Sequence, residues 1–178
     1  PNTLLCLANN HILDHGSKGL IKTMELCKEA KIPYFGAGMN DEEAAKPVIQ
    51  SINGHRIAFW AVAEHEFSIT DHDQPGANAL DPISFIRFVR KYKDSYDFLI
   101  ILIHGGKELY PYPTPDLQKA SRFFAEEGAS AVICQHTHIP SCMEVYNDVP
   151  VFYGQGNFIF DKSSHYKHWN EGFLIRLI

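Results

Sequence analysis

Three short polar clusters that contain histidine each follow an apolar run directly. They are Asn10-His11, His104-Gly105-Gly106 and His136-Thr137-His138. Neutral imidazole nitrogens and an amide oxygen are ligands that suit manganese, iron or zinc. A single histidine in such a place is more often a partly buried, hydrogen-bonded imidazole. Three clusters in the same position relative to strands instead favour a metal or catalytic site.

The apolar runs before these clusters are predicted strands of one sheet. They cover Thr3–Ala8, Phe98–Ile103 and Ala131–Cys134, and the second is uninterrupted, as in a strand covered on both faces. In open α/β sheets, ligands bind at the carboxyl ends of the strands. If these strands are parallel, the three clusters meet at one edge, where Gly105 and Gly106 let the backbone turn sharply.

Amphipathic segments between the strands are predicted helices, and each has a capping residue at its start. The predicted helices are Ser17–Ala30 capped by Ser17, Asp41–Lys46 capped by Asn40, Pro82–Tyr92 capped by Asp81, and Asp116–Glu127 capped by Thr114. Alternating helices and buried strands indicate an α/β fold with a mixed sheet.

Two turn signals predict hairpins appended to this pattern. Asn53-Gly54 joins Val48–Ile52 to Arg56–Ala63, and this residue pair favours a tight two-residue turn. A second hairpin is expected around Asn147-Asp148. The segment Phe173–Ile178 is predicted as a final strand.

The composition is that of one folded domain over residues 1–178. The chain is 45% hydrophobic and carries a net charge of -5, and it contains no repeat or linker-like tract. No apolar run approaches the roughly 20 residues that cross a bilayer, so the chain is expected to be soluble, without a membrane span. It also lacks the clustered Lys and Arg of nucleic-acid-binding modules.

The four cysteines show no Cys-x-x-Cys spacing. Two of them, Cys6 and Cys134, lie in apolar runs and are interpreted as small buried side chains. Reduced cysteines are therefore expected, although their even number leaves disulfides open.

Two acidic residues near the clusters admit two interpretations each. Asp14, three residues after His11, can accept a hydrogen bond from its ring or act as a carboxylate favoured at a helix start. Glu108 follows His104 closely enough to reach the site, but a solvated loop carboxylate is favoured.

The remaining histidines are mostly interpreted as solvated. This applies to His55 and to the loop groups 64–66 and 71–73, although either group could bind a cation or cover the site. The segment with His165, His168 and Trp169 could shape a substrate pocket, and an ordinary surface segment is favoured.

The clusters belong to longer motifs that resemble those of the CapA family of capsule (poly-γ-glutamate) synthesis proteins. These motifs are residues 8–16 (ANNHILDHG), 32–33 (IP), 36–38 (GAG), His104, 136–138 (HTH) and 156–161 (GNFIFD). The match runs in family order from about residue 4 to residue 161. The family is similar to calcineurin-like metallophosphoesterases, which implies an α/β sandwich of two mixed β-sheets flanked by helices.

The resemblance also implies a centre of two divalent metal ions. Asn10, His104 and His136 would ligate one ion, and His138 would ligate the other. His11 would face a substrate phosphate as acid or charge stabiliser. Asp14 is the candidate catalytic partner of His11 because of its spacing from that residue. Such a centre lowers the pKa of a water and aims it at a phosphoester.

At the level of the whole protein, the family implies a role in capsule synthesis. The implied substrate is an anionic polymer or a phosphoester, the implied partners are other capsule-synthesis proteins, and the implied location is the outer face of the bacterial cell envelope. The alternative is a catalytically inactive component that binds polymer or partner proteins in an envelope assembly. A histidine-rich metal-binding module is a third, weaker hypothesis.

Two features depart from the family pattern. The family opens with a strand ending in Gly-Asp and supplies a bridging carboxylate before the Asn-Asn-His motif, whereas nine residues precede Asn10 here. The chain is therefore expected to be a partial domain without the first strands, with an incomplete ligand set that holds one ion or none. Gln135 replaces a glycine that usually precedes His-x-His, and it could crowd the metal edge.

Overall fold

The computed structural model describes residues 3–64, 67–160 and 165–178, and these residues form four α-helices and ten strands. The helices are α1 (Gly16–Glu29), α2 (Asp41–Ala44), α3 (Pro82–Tyr92) and α4 (Pro115–Glu126). The strands are β1 (Leu5–Cys6), β2 (Tyr34–Phe35), β3 (Ala37–Gly38), β4 (Val48–Ile52), β5 (His55–Ala63), β6 (Gly76–Ala77), β7 (Phe98–His104), β8 (Ala131–Gln135), β9 (Met143–Tyr146) and β10 (Val149–Phe152).

Six of these strands form one mixed sheet in the order β4-β5-β7-β8-β10-β9. The central strands β5, β7, β8 and β10 are parallel, and antiparallel β4 and β9 flank them. Two short pairs lie beside this sheet, parallel β1-β2 and antiparallel β3-β6. The expected α/β fold with a mixed sheet flanked by helices is confirmed.

Both predicted hairpins are present and have the backbone that their turn residues favour. Asn53 and Gly54 have φ values of +51° and +84°, and Asn147 and Asp148 have values of +49° and +64°. Positive φ at both central residues is the feature of the two-residue turn whose twist matches paired strands. The turn residues therefore determine where β4 joins β5 and where β9 joins β10.

One face of the sheet is held by a cluster of buried aromatic rings. Trp60 of β5 stacks on Phe88 of α3 with ring centroids 5.0 Å apart, and Phe124 of α4 meets it edge-on. Phe85 lies between these rings and is fully buried. Burying one such side chain contributes about 1.5–3 kcal/mol, so this cluster fixes α3 and α4 on the parallel strands.

Three of the four predicted helix caps are confirmed. Asn40, Asp81 and Thr114 each accept a hydrogen bond from a backbone N–H in the first turn of α2, α3 and α4. The prediction for α1 was wrong, because this helix begins at Gly16 and its N-cap is His15, without a side-chain hydrogen bond. A turn closed by the Gly16 N–H and the Leu13 carbonyl leads directly into the helix, so Ser17 already lies inside the first turn.

The opposite face of the sheet borders a groove of about 1250 Å³ whose lining includes Ile100, Ile133 and the last four residues. Ile175 packs against this face. The predicted final strand over Phe173–Ile178 is nevertheless wrong. Pairing in this region of the described chain stops at the Gly156–Gly172 bridge and one hydrogen bond from the Phe173 N–H. Alternating apolar residues favour a strand, but a strand also needs a paired neighbour along its length.

All four cysteines are free. Burial raises the pKa of Cys6 to about 11 and that of Cys134 to about 12, so both thiols are protonated at neutral pH. Within the described residues, no helix is long and apolar enough to cross a membrane.

Candidate metal site

The parallel register of β7 and β8 places two of the predicted ligands side by side. His104 is the last residue of β7 and pairs with Gln135, the last residue of β8, so His136 follows at the same edge. His104 Nε2 lies 3.1 Å from His136 Nδ1, and the ring centroids are 4.7 Å apart. The strand ends therefore converge as the sequence predicts.

Asn10 reaches the same point from the turn after β1. Its side chain is buried, and its Oδ1 lies 2.9 Å from His104 Nε2. Asn9 shapes this turn, because its Oδ1 accepts from the His11 N–H and its Nδ2 donates to the Leu7 carbonyl. Asn10 Oδ1 and His136 Nδ1 thus both contact His104 Nε2, although Asn10 and His104 are 94 residues apart.

The environment of His104 keeps its ring neutral. Burial is the main reason that the pKa of His104 is lowered to about 3. The nearby imidazoles that lower this pKa further are those of His136, His11 and His138. A neutral imidazole retains a nitrogen lone pair, which a metal ligand requires.

Glu108 and His138 extend the cluster on the other side of the His136 ring. Glu108 Oε1 lies 3.8 Å from His136 Nε2 and 4.0 Å from His138 Nε2. These three side chains could hold a metal ion. The carboxylate is half exposed, so the favoured interpretation of Glu108 as a loop carboxylate described its solvation but missed its position beside both imidazoles.

The backbone around this pair of histidines is unusual. His136 has φ +96° and His138 has φ +59°, values that cost about 1–3 kcal/mol each in residues with a side chain. The Thr137 carbonyl between them accepts from the Leu109 N–H, which fixes the loop carrying Glu108 against the His-x-His segment. Strain of this kind persists where the surrounding structure enforces a particular side-chain arrangement.

Gly105 and Gly106, which form the predicted glycine turn after β7, are each required for a different physical reason. Gly106 has φ +107°, as the turn requires. A Cβ on Gly105 would lie only 2.5 Å from Glu64 Cγ, so the glycine leaves room for the Glu64 side chain at the end of β5. Glu64 also donates its N–H to the His104 carbonyl.

His11 and Asp14 form the hydrogen bond that their spacing allows. His11 Nδ1 lies 2.9 Å from Asp14 Oδ2, and both side chains are exposed. Asp14 precedes α1, and the first turn of that helix contains no acidic residue. The structure thus supports the ring-orienting interpretation of Asp14 over the helix-start interpretation, and it places the pair on the turn that follows Asn10.

The other described histidines are exposed. His55 is exposed and lies edge-on to Phe98 at the start of β7, and His72 is exposed with its ring 3.9 Å from Asp41. His165 is exposed, and His168 is hydrogen-bonded to Glu171. His65, Glu66 and Asp161 lie outside the described residues.

Three further residues have contacts at or near the end of β8. Gln135 donates to Gln155 Oε1 and lines the groove beside Ile133, so its side chain is held on that face. Trp169 stacks on the His138 ring, which places its side chain beside a predicted ligand. Asn157 also contacts His138. It was assigned no role from the sequence, although it lies in the Gly-Asn-Phe motif that could have indicated one.

Known proteins resemble this chain over most of its length. The family model described as "Bacterial capsule synthesis protein PGA_cap" matches residues 2–162. The chain is 32% identical to a capsule biosynthesis protein CapA of Bacillus anthracis, over 90% of the chain and 40% of that protein. It is 31% identical to the PGA biosynthesis protein CapA of Bacillus subtilis, over 90% of the chain and 43% of that protein. The chain therefore spans less than half the length of these relatives.

Solved structures show the same fold at low sequence identity. A putative 5'-nucleotidase from Staphylococcus aureus matches with a TM-score of 0.57 and 14% identity, covering 86% of this chain and 31% of that one. A hypothetical protein from Thermus thermophilus matches with a TM-score of 0.53 and 16% identity, covering 86% and 52%. The likeness shows the expected metallophosphoesterase-like fold. The family model, which matches residues 2–162, shows that the chain belongs to the PGA_cap family of bacterial capsule synthesis proteins.

Proposed function

We propose that this chain carries a divalent-metal site of the phosphoesterase type and acts as a metal-dependent hydrolase in capsule synthesis. The observation that supports this proposal is the convergence of Asn10 Oδ1, His104 Nε2 and His136 Nδ1 on one position. The proposed metal is manganese, iron or zinc, because nitrogen-rich donor sets with one oxygen suit these ions.

The distances from His104 Nε2 to the other two donor atoms fit those between ligands of one ion. Asn10 Oδ1 and His136 Nδ1 lie 2.9 and 3.1 Å from His104 Nε2. Adjacent ligands of an octahedral ion with bonds of about 2.1 Å are separated by about 3.0 Å. The burial that keeps His104 neutral favours the same arrangement.

Glu108 and His138 are the proposed ligands for a second ion or for a wider site. Ligand atoms of a tetrahedral ion with bonds of about 2.1 Å lie about 3.4 Å apart. Glu108 Oε1 is 4.0 Å from His138 Nε2, so a movement of about half an ångström would bring these two atoms to that separation. The His136 ring, whose Nδ1 lone pair is proposed for the first ion, would carry its proton on Nε2, which faces Glu108 Oε1 at 3.8 Å. Glu108 would thereby supply a carboxylate that the resemblance did not assign.

The chain's own residues would orient the substrate and move protons beside this centre. A bound divalent ion supplies Lewis-acid polarisation of a phosphoryl oxygen and a more acidic water. Asp14 accepts from His11 Nδ1 and holds the ring, which leaves His11 Nε2 to exchange a proton with a leaving-group oxygen. The exposure of both side chains gives a substrate access to this nitrogen.

The proposed substrate is an anionic polymer or a phosphoester, and the proposed setting is the bacterial cell envelope, with other capsule-synthesis proteins as partners. The names of the Bacillus relatives, which refer to capsule and PGA biosynthesis, support this setting. A non-catalytic component that binds polymer or partners is the second candidate. This candidate is favoured because the described residues of the cluster contain a single carboxylate, which offsets little of the charge of two divalent ions.

Metal content and turnover test the proposal together. Purified protein is loaded with Mn²⁺, its bound metal is quantified, and hydrolysis of an aryl phosphodiester is followed for wild type and His104→Ala. His55→Ala is the matched control, because His55 lies at the opposite end of the parallel strands. We expect bound metal and turnover in the wild type and the control, and loss of both in His104→Ala. Metal binding without turnover would support the second candidate, and no metal binding by the wild type would overturn the proposal.

A further inference from the structure

The two ends of the Asn157 side-chain amide contact His138 and Trp169. Its Oδ1 lies 2.9 Å from His138 Nδ1, and its Nδ2 donates to the Trp169 carbonyl over 2.9 Å. His138 and Asn157 are 19 residues apart, so the contact joins the His-x-His segment to the Gly-Asn-Phe motif.

The contact with Trp169 fixes which way the amide points. A carbonyl oxygen only accepts hydrogen bonds, so the group facing the Trp169 carbonyl must be the NH₂ of Asn157. Oδ1 must then face His138, and because this oxygen only accepts, His138 Nδ1 must carry the proton. The lone pair of neutral His138 is therefore on Nε2, the atom that lies 4.0 Å from Glu108 Oε1.

The ring that Asn157 orients is also enclosed by aromatic side chains. Trp169 stacks on His138 with centroids 5.2 Å apart and an angle of 24° between the rings. Phe160 meets His138 edge-on at 5.1 Å and meets Trp169 edge-on at the same distance. Asn157 thus anchors the indole segment while it orients the imidazole beneath it.

We propose that Asn157 is a positioning residue that holds His138 in its Nδ1–H form, with Nε2 free for a ligand, and couples this ring to the Trp169 segment. The inference rests on the proposed function in one respect, namely that His138 Nε2 is a metal ligand. Partners that fix the tautomer of a ligating histidine change metal affinity by about ten- to hundredfold when they are removed.

The tautomer can be measured without any metal. Long-range ¹H–¹⁵N NMR of ¹⁵N-histidine-labelled, metal-free protein at alkaline pH distinguishes the Nδ1–H and Nε2–H forms of a neutral imidazole. His138 is expected in the Nδ1–H form in the wild type and in the Nε2–H form, which free histidine prefers, in Asn157→Ala. Asn157→Asp keeps an accepting oxygen and is expected to retain the Nδ1–H form. Asn170→Ala, an exposed asparagine of the same segment, is the matched control.

Two further readouts separate positioning from a purely structural role. Binding isotherms with Mn²⁺ should show affinity weakened about ten- to hundredfold in Asn157→Ala and largely rescued in Asn157→Asp. Trp169 fluorescence, obtained by subtracting a Trp169→Phe spectrum, should change in both Asn157 variants because both lose the donor to its carbonyl. An Nε2–H form of His138 in the wild type, or an unchanged tautomer in Asn157→Ala, would overturn the inference. Absence of metal binding with the predicted tautomers would instead count against the proposed function alone.

Discussion

Replacing Glu108 with glutamine is expected to weaken divalent-metal binding about thirtyfold. Glu108 Oε1 lies 3.8 Å from His136 Nε2 and 4.0 Å from His138 Nε2. The side chain is 52% exposed, so water screens its charge. Two unit charges 4 Å apart in water interact by about 1 kcal/mol. A divalent ion placed at that distance from the carboxylate, which is the separation of Oε1 from these imidazole nitrogens, would therefore interact with it by about 2 kcal/mol. Since 1.4 kcal/mol corresponds to a tenfold change in Kd, the loss is roughly thirtyfold.

Isothermal titration calorimetry with Mn²⁺ measures this change directly. Glu108→Gln preserves the size of the side chain and removes only its charge. Glu29→Gln is the matched control, because Glu29 is an exposed carboxylate at the end of α1 and its loss changes the net charge equally. If Glu108→Gln bound the ion as tightly as the wild type and the control, the assignment of Glu108 to the metal site would be refuted.

Three further predictions test other parts of the structure. Asp14→Asn is expected to lower turnover about tenfold without changing metal affinity, because Asp14 orients His11; a parallel loss of metal would contradict this role. Hydrogen bonds from Arg122 hold the pKa of Glu144 below its usual value, so this pair contributes stability above the ordinary carboxyl pKa of about 4.3 that is lost as the pH falls below it. Glu144→Gln should therefore flatten the decline of the free energy of unfolding in acid, measured by urea titration, and an unchanged slope would refute this. Phe85→Ala should destabilise the protein by about 3–5 kcal/mol in the same assay, because Phe85 is fully buried among aromatic rings; a loss below 1 kcal/mol would contradict the described core.

The elements of this fold with strong local signals were predictable from the sequence. Asn53-Gly54 determines a turn through its own backbone preference, and Asp81 caps α3 with its own side chain. The Ser17 cap was wrong because a preceding turn that ends at Gly16 starts the helix earlier. The strand predicted at Phe173–Ile178 was wrong because pairing depends on distant backbone, which no local pattern encodes.

The part of the site that lies at the ends of parallel strands was predictable from the sequence. His104 and His136 could be placed together because parallel strands in register bring their carboxyl ends to one edge. The short distance in sequence from His104 to Glu108 allowed Glu108 to reach the site, but its position beside both imidazoles depends on the hydrogen bond between Leu109 and Thr137. The double contact of Asn157 likewise arises from tertiary packing.

The position of a bound ion tests the central claim most directly. Crystals soaked with Mn²⁺ give an anomalous difference map that locates the ion without reference to activity. The claim predicts a peak about 2.1 Å from each of Asn10 Oδ1, His104 Nε2 and His136 Nδ1. No peak at these atoms in saturating Mn²⁺, or a peak only elsewhere on the protein, would contradict it.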